Sequence, residues 1–88
     1  MTELRVTVPN RLGIHARPAA LLVKKAAEFT SEIGIVFGGD RVNAKSIMGV
    51  MTLAAGKGSE LLIEADGPDE KEAAEALAVI VRDGFGED

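Results

Sequence analysis

His15 is the only histidine in the 88-residue chain, and it lies in the stretch 13–20, which reads Gly-Ile-His-Ala-Arg-Pro-Ala-Ala. If a helix begins at about Ala16, His15 is its N-cap, and the first backbone N–H groups and the positive end of the helix dipole point towards the ring. A helix end of this kind binds anions, and Arg17 adds a planar set of donors suited to phosphate oxygens. Because a neutral imidazole is a nucleophile, these residues are suited to accepting a phosphoryl group.

The residues alone leave a second interpretation open. A lone histidine near a helix start is more often a surface residue, or one whose ring bonds to a nearby carbonyl, and a lone arginine is usually solvated. We find no second acid or base near His15 in the sequence, which argues against free-standing catalysis. On spacing alone, the phosphate hypothesis is therefore the minority interpretation.

Ser46 is the second candidate control site. It precedes a short helical stretch, for which it is a suitable N-cap, a role worth about 1 kcal/mol relative to alanine. Ile47, Met48 and Met51 follow at i, i+1 and i+4, so a short helix cannot easily bury all three. They are either packing residues or an apolar docking patch in which methionine adapts to several partners.

The elements that position these residues follow from periodicity and turn residues. Period-two alternation predicts strands over residues 2–8, 33–37, 41–44 and 60–66, and helical spacing predicts helices over 16–29, 47–53 and 70–83. Gly38 and Gly39 predict a tight hairpin between the second and third strands. The order βαββαβα predicts an α+β fold of two layers, with helices on one face of the sheet, in a single domain over residues 1–88.

Three local expectations accompany this assignment. Pro18 falls in the first turn of its helix, where its missing N–H costs nothing. Asp69 and Glu72 have the spacing of a capping box at the start of the last helix, which Gly84 ends. We expect the tail, residues 85–88, to fray.

Composition narrows the class of protein. With 47% hydrophobic and 27% charged residues, the chain has an ordinary globular composition. It contains no cysteine and a single histidine, so we expect no disulfide, metal site or cofactor. The N-terminus lacks an export signal and no apolar run is long enough to span a bilayer, so we expect a cytoplasmic protein without membrane insertion.

The charge is unevenly distributed along the chain. Residues 1–57 carry eight basic and four acidic side chains, whereas residues 58–88 carry two basic and ten acidic ones, for a formal net charge of −4. The basic half contains His15 and suits anionic groups or acidic protein partners. It is too dilute in charge and too poor in aromatic residues for a nucleic-acid surface.

The stretch 13–20 resembles, at all eight positions, the active-site signature of the HPr family, the histidine-containing phosphocarriers of the bacterial phosphotransferase system. A second block, Lys45-Ser46-Ile47-Met48-Gly49-Val50-Met51, resembles the regulatory serine region of the same family. Chain length, element order and the separation of the two blocks fit as well, so the resemblance covers the whole chain.

The resemblance implies a specific role. His15 is expected to receive a phosphoryl group on Nδ1 from phosphorylated enzyme I and to pass it to an EIIA domain, while Arg17 neutralises the group during transfer. The implied fold is an open-faced β-sandwich, a four-stranded antiparallel sheet with helices on one face. The resemblance favours partner docking by Ile47, Met48 and Met51. Leu21 lies one helical turn past Arg17 on the same face and is expected to extend this patch with Ala20, while Lys24 is a steering charge if the partners are acidic. We expect a monomer.

Other interpretations stay open at this point. In many relatives the serine matching Ser46 is phosphorylated by an HPr kinase/phosphorylase, and the motif here permits but does not require this. The tail and the run 11–13 resemble the nitrogen-branch paralogue, whereas residues 45–51 resemble the sugar-branch form. A regulatory module that docks to a transcription regulator is a further alternative. An unrelated RNA-binding domain is disfavoured because the strands carry no aromatic platform.

Overall fold

The computed structural model describes residues 1–87. Four strands and three helices alternate in the predicted order: β1 (Thr2–Thr7), α1 (Ala16–Ala26), β2 (Glu32–Phe37), β3 (Asp40–Asn43), α2 (Ile47–Thr52), β4 (Glu60–Asp66) and α3 (Glu70–Arg82). A single 3₁₀ turn, Gly84–Gly86, follows α3. Within the described part of the chain, no helix has the length and apolar character needed to cross a bilayer.

The four strands form one antiparallel sheet in the order β1-β4-β2-β3. The last strand in the sequence is therefore inserted between the first and the second. Gly38 and Gly39 both have positive φ, 60° and 89°, as expected for a two-residue hairpin turn between β2 and β3. These features confirm the predicted α+β fold, an open-faced antiparallel sheet with helices on one side.

The core lies between the sheet and the helices. Alternate strand residues face inward, and α3 packs on β1, β4 and β2 while α1 contacts both α2 and α3. The largest fully buried aliphatic side chains come from β2, β4, the three helices and the position directly after β1: Val8, Leu22, Ile35, Val50, Leu61, Ile63, Leu77 and Val81. The opposite face of the sheet carries ion pairs, Arg5 with Glu60 at 3.3 Å and Arg41 with Glu64 at 2.9 Å.

Helix α1 ends at Ala26, earlier than the predicted end near residue 29. Ala27 N still bonds to Val23 O, and the two backbone bonds after it have i→i−3 spacing, from Glu28 N to Lys25 O and from Phe29 N to Ala26 O. The helical spacing of the side chains therefore continues through a tight turn. Phe29 still packs against the core, which explains why its spacing suggested a longer helix.

The predicted capping box at the start of α3 is wrong. The carboxylate of Asp69 accepts hydrogen bonds from the backbone N–H groups of Thr30 at 3.0 Å and Ser31 at 2.9 Å and from the Ser31 hydroxyl. These bonds, that from the Ser31 hydroxyl first, lower the pKa of Asp69 to about 2. Glu70 instead accepts from Gly67 N at 3.2 Å. Asp69 thus joins the start of α3 to the start of β2, because the two N–H groups entering β2 need an acceptor.

The tail was expected to fray, and this is wrong for residues 85–87. Phe85 is only 4% exposed and packs in the core. Its φ of 58° lies in the left-handed region, between Gly84 at 66° and Gly86 at 72°. Burial of the aromatic ring holds the tail against the body of the protein and offsets this unfavourable backbone conformation. Asp88 lies outside the described residues.

Candidate functional site

The turn between β1 and α1 sets the position of His15. Gly13 has a φ of 67°, and a Cβ atom there would collide with the carbonyl oxygen of Ala55 and lie 2.6 Å from Cα of Gly56. This close approach allows Ile14 N to donate to Ala55 O at 2.8 Å. Glycine is therefore required at position 13, both for the backbone conformation and for the contact.

His15 is the N-cap of α1, as the sequence predicted. Its carbonyl accepts the first intrahelical bond from Ala19 N at 3.0 Å, while its ring makes no capping bond. Pro18 lies in the first turn and is buried, so its ring packs where an N–H would have had no intrahelical acceptor. The N–H groups of Ala16 and Arg17 have no such acceptor either, and the positive end of the helix dipole lies beside His15.

The imidazole of His15 contacts a carboxylate from the tail. Its Nε2 atom lies 2.9 Å from Oε1 of Glu87, with the His15 side chain 38% exposed and the Glu87 side chain 22% exposed. The ring is thus fixed on one side and open to solvent on the other. We expected no acid or base near His15, and the position of Glu87 shows that this expectation was wrong.

Asn10 donates a second hydrogen bond to the carboxylate of Glu87. Its side-chain amide donates to Oε1 of Glu87 at 2.9 Å and to Gly13 O at 2.8 Å, and the residue is 1% exposed. The hydrogen bond from His15, followed by that from Asn10, lowers the pKa of Glu87, and the positive charges of His15 and Arg17 act in the same direction against partial burial. Glu87 is therefore ionised at neutral pH.

Arg17 follows His15 by two positions and is exposed. It makes no ion pair with another residue in 1–87, although its charge contributes to the lowered pKa of Glu87. Its guanidinium is thus available to an incoming anion. Together with the two N–H groups of the first turn, it gives this end of α1 the donors that a phosphoryl group requires.

Ser46 occupies the predicted N-cap of α2. Its Oγ accepts a hydrogen bond from Gly49 N at 3.2 Å, and its own carbonyl accepts from Val50 N at 3.0 Å. The preceding Lys45 does not extend freely into solvent, since its Nζ donates to Phe29 O at 2.8 Å. This bond connects the start of α2 to the turn that follows α1.

The residues predicted to dock partners lie on the surface. Met48 is the most exposed of them, at 75%, and the other large apolar members of the group are also exposed: Leu21, Ile47 and Met51. Ala20 and Lys24 are exposed on α1. Because α1 and α2 pack against each other, these side chains come from adjoining helices on the helical side of the protein.

Taken together, the fold and the site define a small open-faced α+β protein with a partly exposed histidine at the N-terminus of a helix. The features that sequence reasoning missed are Glu87 and Asn10. Glu87 is 72 residues from His15 in the chain. The Gly-Phe-Gly sequence before it was the available signal, since an aromatic residue between two glycines can mark a tight turn anchored in a core.

Comparison with known proteins agrees with this description. The family model described as PTS HPr component phosphorylation site matches residues 2–83. The phosphocarrier protein HPr of Treponema pallidum is 53% identical over 88 residues and covers 100% of both chains. That of Cupriavidus necator is 48% identical over 87 residues, covering 99% of this chain and 98% of the relative.

A solved structure gives the same result. HPr-C-His from Thermoanaerobacter tengcongensis matches with a TM-score of 0.95 and 43% sequence identity, covering 100% of this chain and 99% of that one. The chain therefore belongs to the HPr family, the phosphocarrier proteins of the phosphotransferase system.

Proposed function

We propose that this protein accepts a phosphoryl group on His15 from phosphorylated enzyme I and passes it to an EIIA domain. The observation that carries the proposal is the position of His15, half-exposed at the N-terminus of α1 with Arg17 beside it. Family membership supports the same role. Enzyme I and EIIA supply the rest of the catalytic apparatus, and this protein is a substrate of enzyme I and a phosphoryl donor to EIIA.

The transfer step uses the lone pair of Nδ1 of His15. This pair forms the N–P bond while the bond between phosphorus and the donor atom breaks, and the bonding electrons leave with the donor. The phosphoryl oxygens are then held by the guanidinium of Arg17 and the free N–H groups of the first turn of α1. Both interactions strengthen with the negative charge on the group, so they favour transfer to this position.

The exposed apolar residues on α1 and α2 support docking of both partners at this end of the protein. Leu21 and Met48 present apolar surface without contributing to the buried core, and Lys24 adds a positive charge. Acidic partner surfaces would be steered towards the basic half of the chain, residues 1–57. We propose that the protein acts as a monomer, with the docking surface open to one partner at a time.

We also propose that Ser46 is a regulatory phosphorylation site. A phosphate there adds about −1.5 to −2 charges at the N-terminus of α2, where negative charge is favourable. Such a modification should leave the helix intact and act by repelling acidic partners from the basic half of the protein. Resemblance of residues 45–51 to the regulatory serine region of the family supports this proposal.

The central experiment incubates the protein with labelled phosphoenolpyruvate and enzyme I. We expect acid-labile label on the wild-type protein and none on H15A, with slower labelling of R17A. Acid-stable label, or label that persists in H15A, would contradict the carrier proposal. Parallel reactions with enzyme I of the sugar branch and of the nitrogen branch identify the donor, since the tail resembles that of the nitrogen-branch paralogue.

A further inference from the structure

We propose that Glu87 is a positioning residue for His15. Its carboxylate keeps the proton of the neutral ring on Nε2 and thereby leaves the lone pair on Nδ1, the atom that receives the phosphoryl group. The effect on transfer rests on the proposed function. The effect on the ring itself is a property of the unphosphorylated protein and can be tested separately.

The first argument is the chemistry of the contact. An ionised carboxylate has only acceptor sites, so a ring nitrogen 2.9 Å from its oxygen carries a hydrogen. A neutral imidazole has one N–H, and placing it on Nε2 makes Nδ1 the unprotonated nitrogen. The hydrogen bonds that Glu87 accepts lower its pKa, so it stays ionised while His15 is neutral.

The second argument is that the carboxylate is held in place. Oε1 of Glu87 accepts from His15 and from the buried amide of Asn10, which is itself fixed by its bond to Gly13 O. The turn that requires glycine at position 13 therefore also orients the side-chain amide of Asn10 towards the carboxylate of Glu87. A side chain supported in this way differs from a solvated surface glutamate, because it has one favoured position relative to the ring.

The third argument comes from the backbone that carries Glu87. Three consecutive residues, Gly84 to Gly86, have left-handed φ, and the central one is the buried Phe85. A bulky residue in this conformation costs free energy and persists only where the surroundings fix it. Here it turns the chain back from the end of α3 so that the next side chain reaches His15. This segment lies beyond residues 2–83, to which the family model extends.

The consequence for transfer follows from the charges. When the Nδ1 lone pair forms the N–P bond, the proton on Nε2 remains and the ring acquires positive charge. A carboxylate hydrogen-bonded to Nε2 stabilises that charge as it develops. Since the site is partly exposed, we expect loss of the carboxylate to slow phosphoryl transfer by about threefold to tenfold, less than for a fully enclosed partner of a histidine.

The test combines a spectroscopic and a kinetic measurement on E87A and E87Q. In the wild-type protein, ¹⁵N NMR of the His15 ring, at a pH where the ring is neutral, should show the Nε2–H form almost alone. In E87A the populations of the Nε2–H and Nδ1–H forms should approach those of a histidine-containing peptide measured under the same conditions. E87Q should also admit the Nδ1–H form, because its amide can donate to Nε2.

The matched control is D83N, which removes a carboxylate from the same end of the protein. Asp83 is exposed, and its side chain makes no hydrogen bond or ion pair among residues 1–87. We expect the wild-type ring signals and transfer rate in D83N, and slowed transfer from enzyme I in both Glu87 variants. Thermal melts establish whether the variants are folded. If E87A is unfolded, the test is made with E87Q.

Two outcomes overturn the inference. Unchanged ring signals in folded Glu87 variants would show that the carboxylate does not select the nitrogen, even if transfer were slower. Wild-type transfer rates in both variants would show that the contact does not matter for the reaction. A third outcome separates the two proposals. If the Glu87 variants change the ring signals but the wild-type protein accepts no phosphoryl group, the proposed function is contradicted and the positioning of His15 by Glu87 still stands.

Discussion

Replacing Ser46 with alanine removes the hydroxyl that caps α2. The bond from Gly49 N is 3.2 Å long, at the long end of the normal range, so we expect a loss at the lower end for N-caps, about 0.5–1 kcal/mol in the free energy of unfolding. A domain of this size loses about 4–8 °C in Tm for each kcal/mol, which gives a shift of about 2–8 °C.

Two further substitutions at the same position separate the cap from the charge. Asparagine is as good an N-cap as serine and is neutral, so S46N should melt within a few degrees of wild type. Aspartate caps equally well and adds negative charge at the helix N-terminus, worth about 0.3–1 kcal/mol. S46D should therefore be at least as stable as wild type.

The assay measures Tm and the rate of phosphoryl transfer from enzyme I for all three variants. If regulation acts through charge, S46D alone should lose about fivefold or more in rate, the effect of about 1 kcal/mol of repulsion between solvated charges about 4 Å apart. S46N and S46A should transfer at the wild-type rate at a temperature where they are folded. The reasoning is refuted if S46D is less stable than S46A, or if S46N loses rate as S46D does.

Three other predictions follow from the contacts described. The pKa of Asp69 is lowered, so its hydrogen bonds contribute fully to stability above the ordinary carboxyl pKa, and this contribution is lost as the pH falls from about 4 to about 2. D69N should therefore flatten this part of an acid-unfolding curve. An unchanged curve would contradict the role of the Ser31 bonds. G13A should lose more than about 2 kcal/mol in urea unfolding, because its Cβ would collide with Ala55; a small loss would mean that the turn can shift. For M48A we expect the free energy of unfolding to stay within about 0.5 kcal/mol of wild type, because the side chain is exposed. Its Kd for enzyme I, measured by calorimetry, should rise by about fivefold or more. A wild-type Kd would exclude Met48 from the docking surface.

The sequence was sufficient to predict the elements because their signals are local. Alternation such as Leu61, Ile63 and Ala65 predicts a strand without knowledge of its neighbours, and Ser46 predicts a cap from its own position. The pairing of strands is a different matter. The residues of β4 do not indicate that it lies between β1 and β2, because the order of strands depends on contacts between segments far apart in the chain.

The same distinction applies to the site. His15 and Arg17 are close in sequence, and the start of α1 fixes their relation, so spacing and resemblance predicted them together. Glu87 reaches the ring only because Phe85 enters the core and the backbone turns in the left-handed sense. Likewise Asp69, which fitted a local capping pattern, bonds to Ser31 across 38 residues. Both contacts join residues far apart in the chain, 72 positions for Glu87 and 38 for Asp69, so no local pattern contains them.

The central place of β4 has a consequence for the stage of folding at which the surroundings of His15 form. The turn that carries His15 is pinned by residues near β4, with Ile14 N bonded to Ala55 O and Gly58 N to Val8 O, both at 2.8 Å. Closing the β1–β4 pair encloses more than half of the chain, a slow step in folding. Deuterium exchange at the Ile14 amide should therefore report unfolding of the whole molecule. A nascent or partly digested chain would present His15 without Asn10 and Glu87 in place, so the site exists only once the whole sheet has formed.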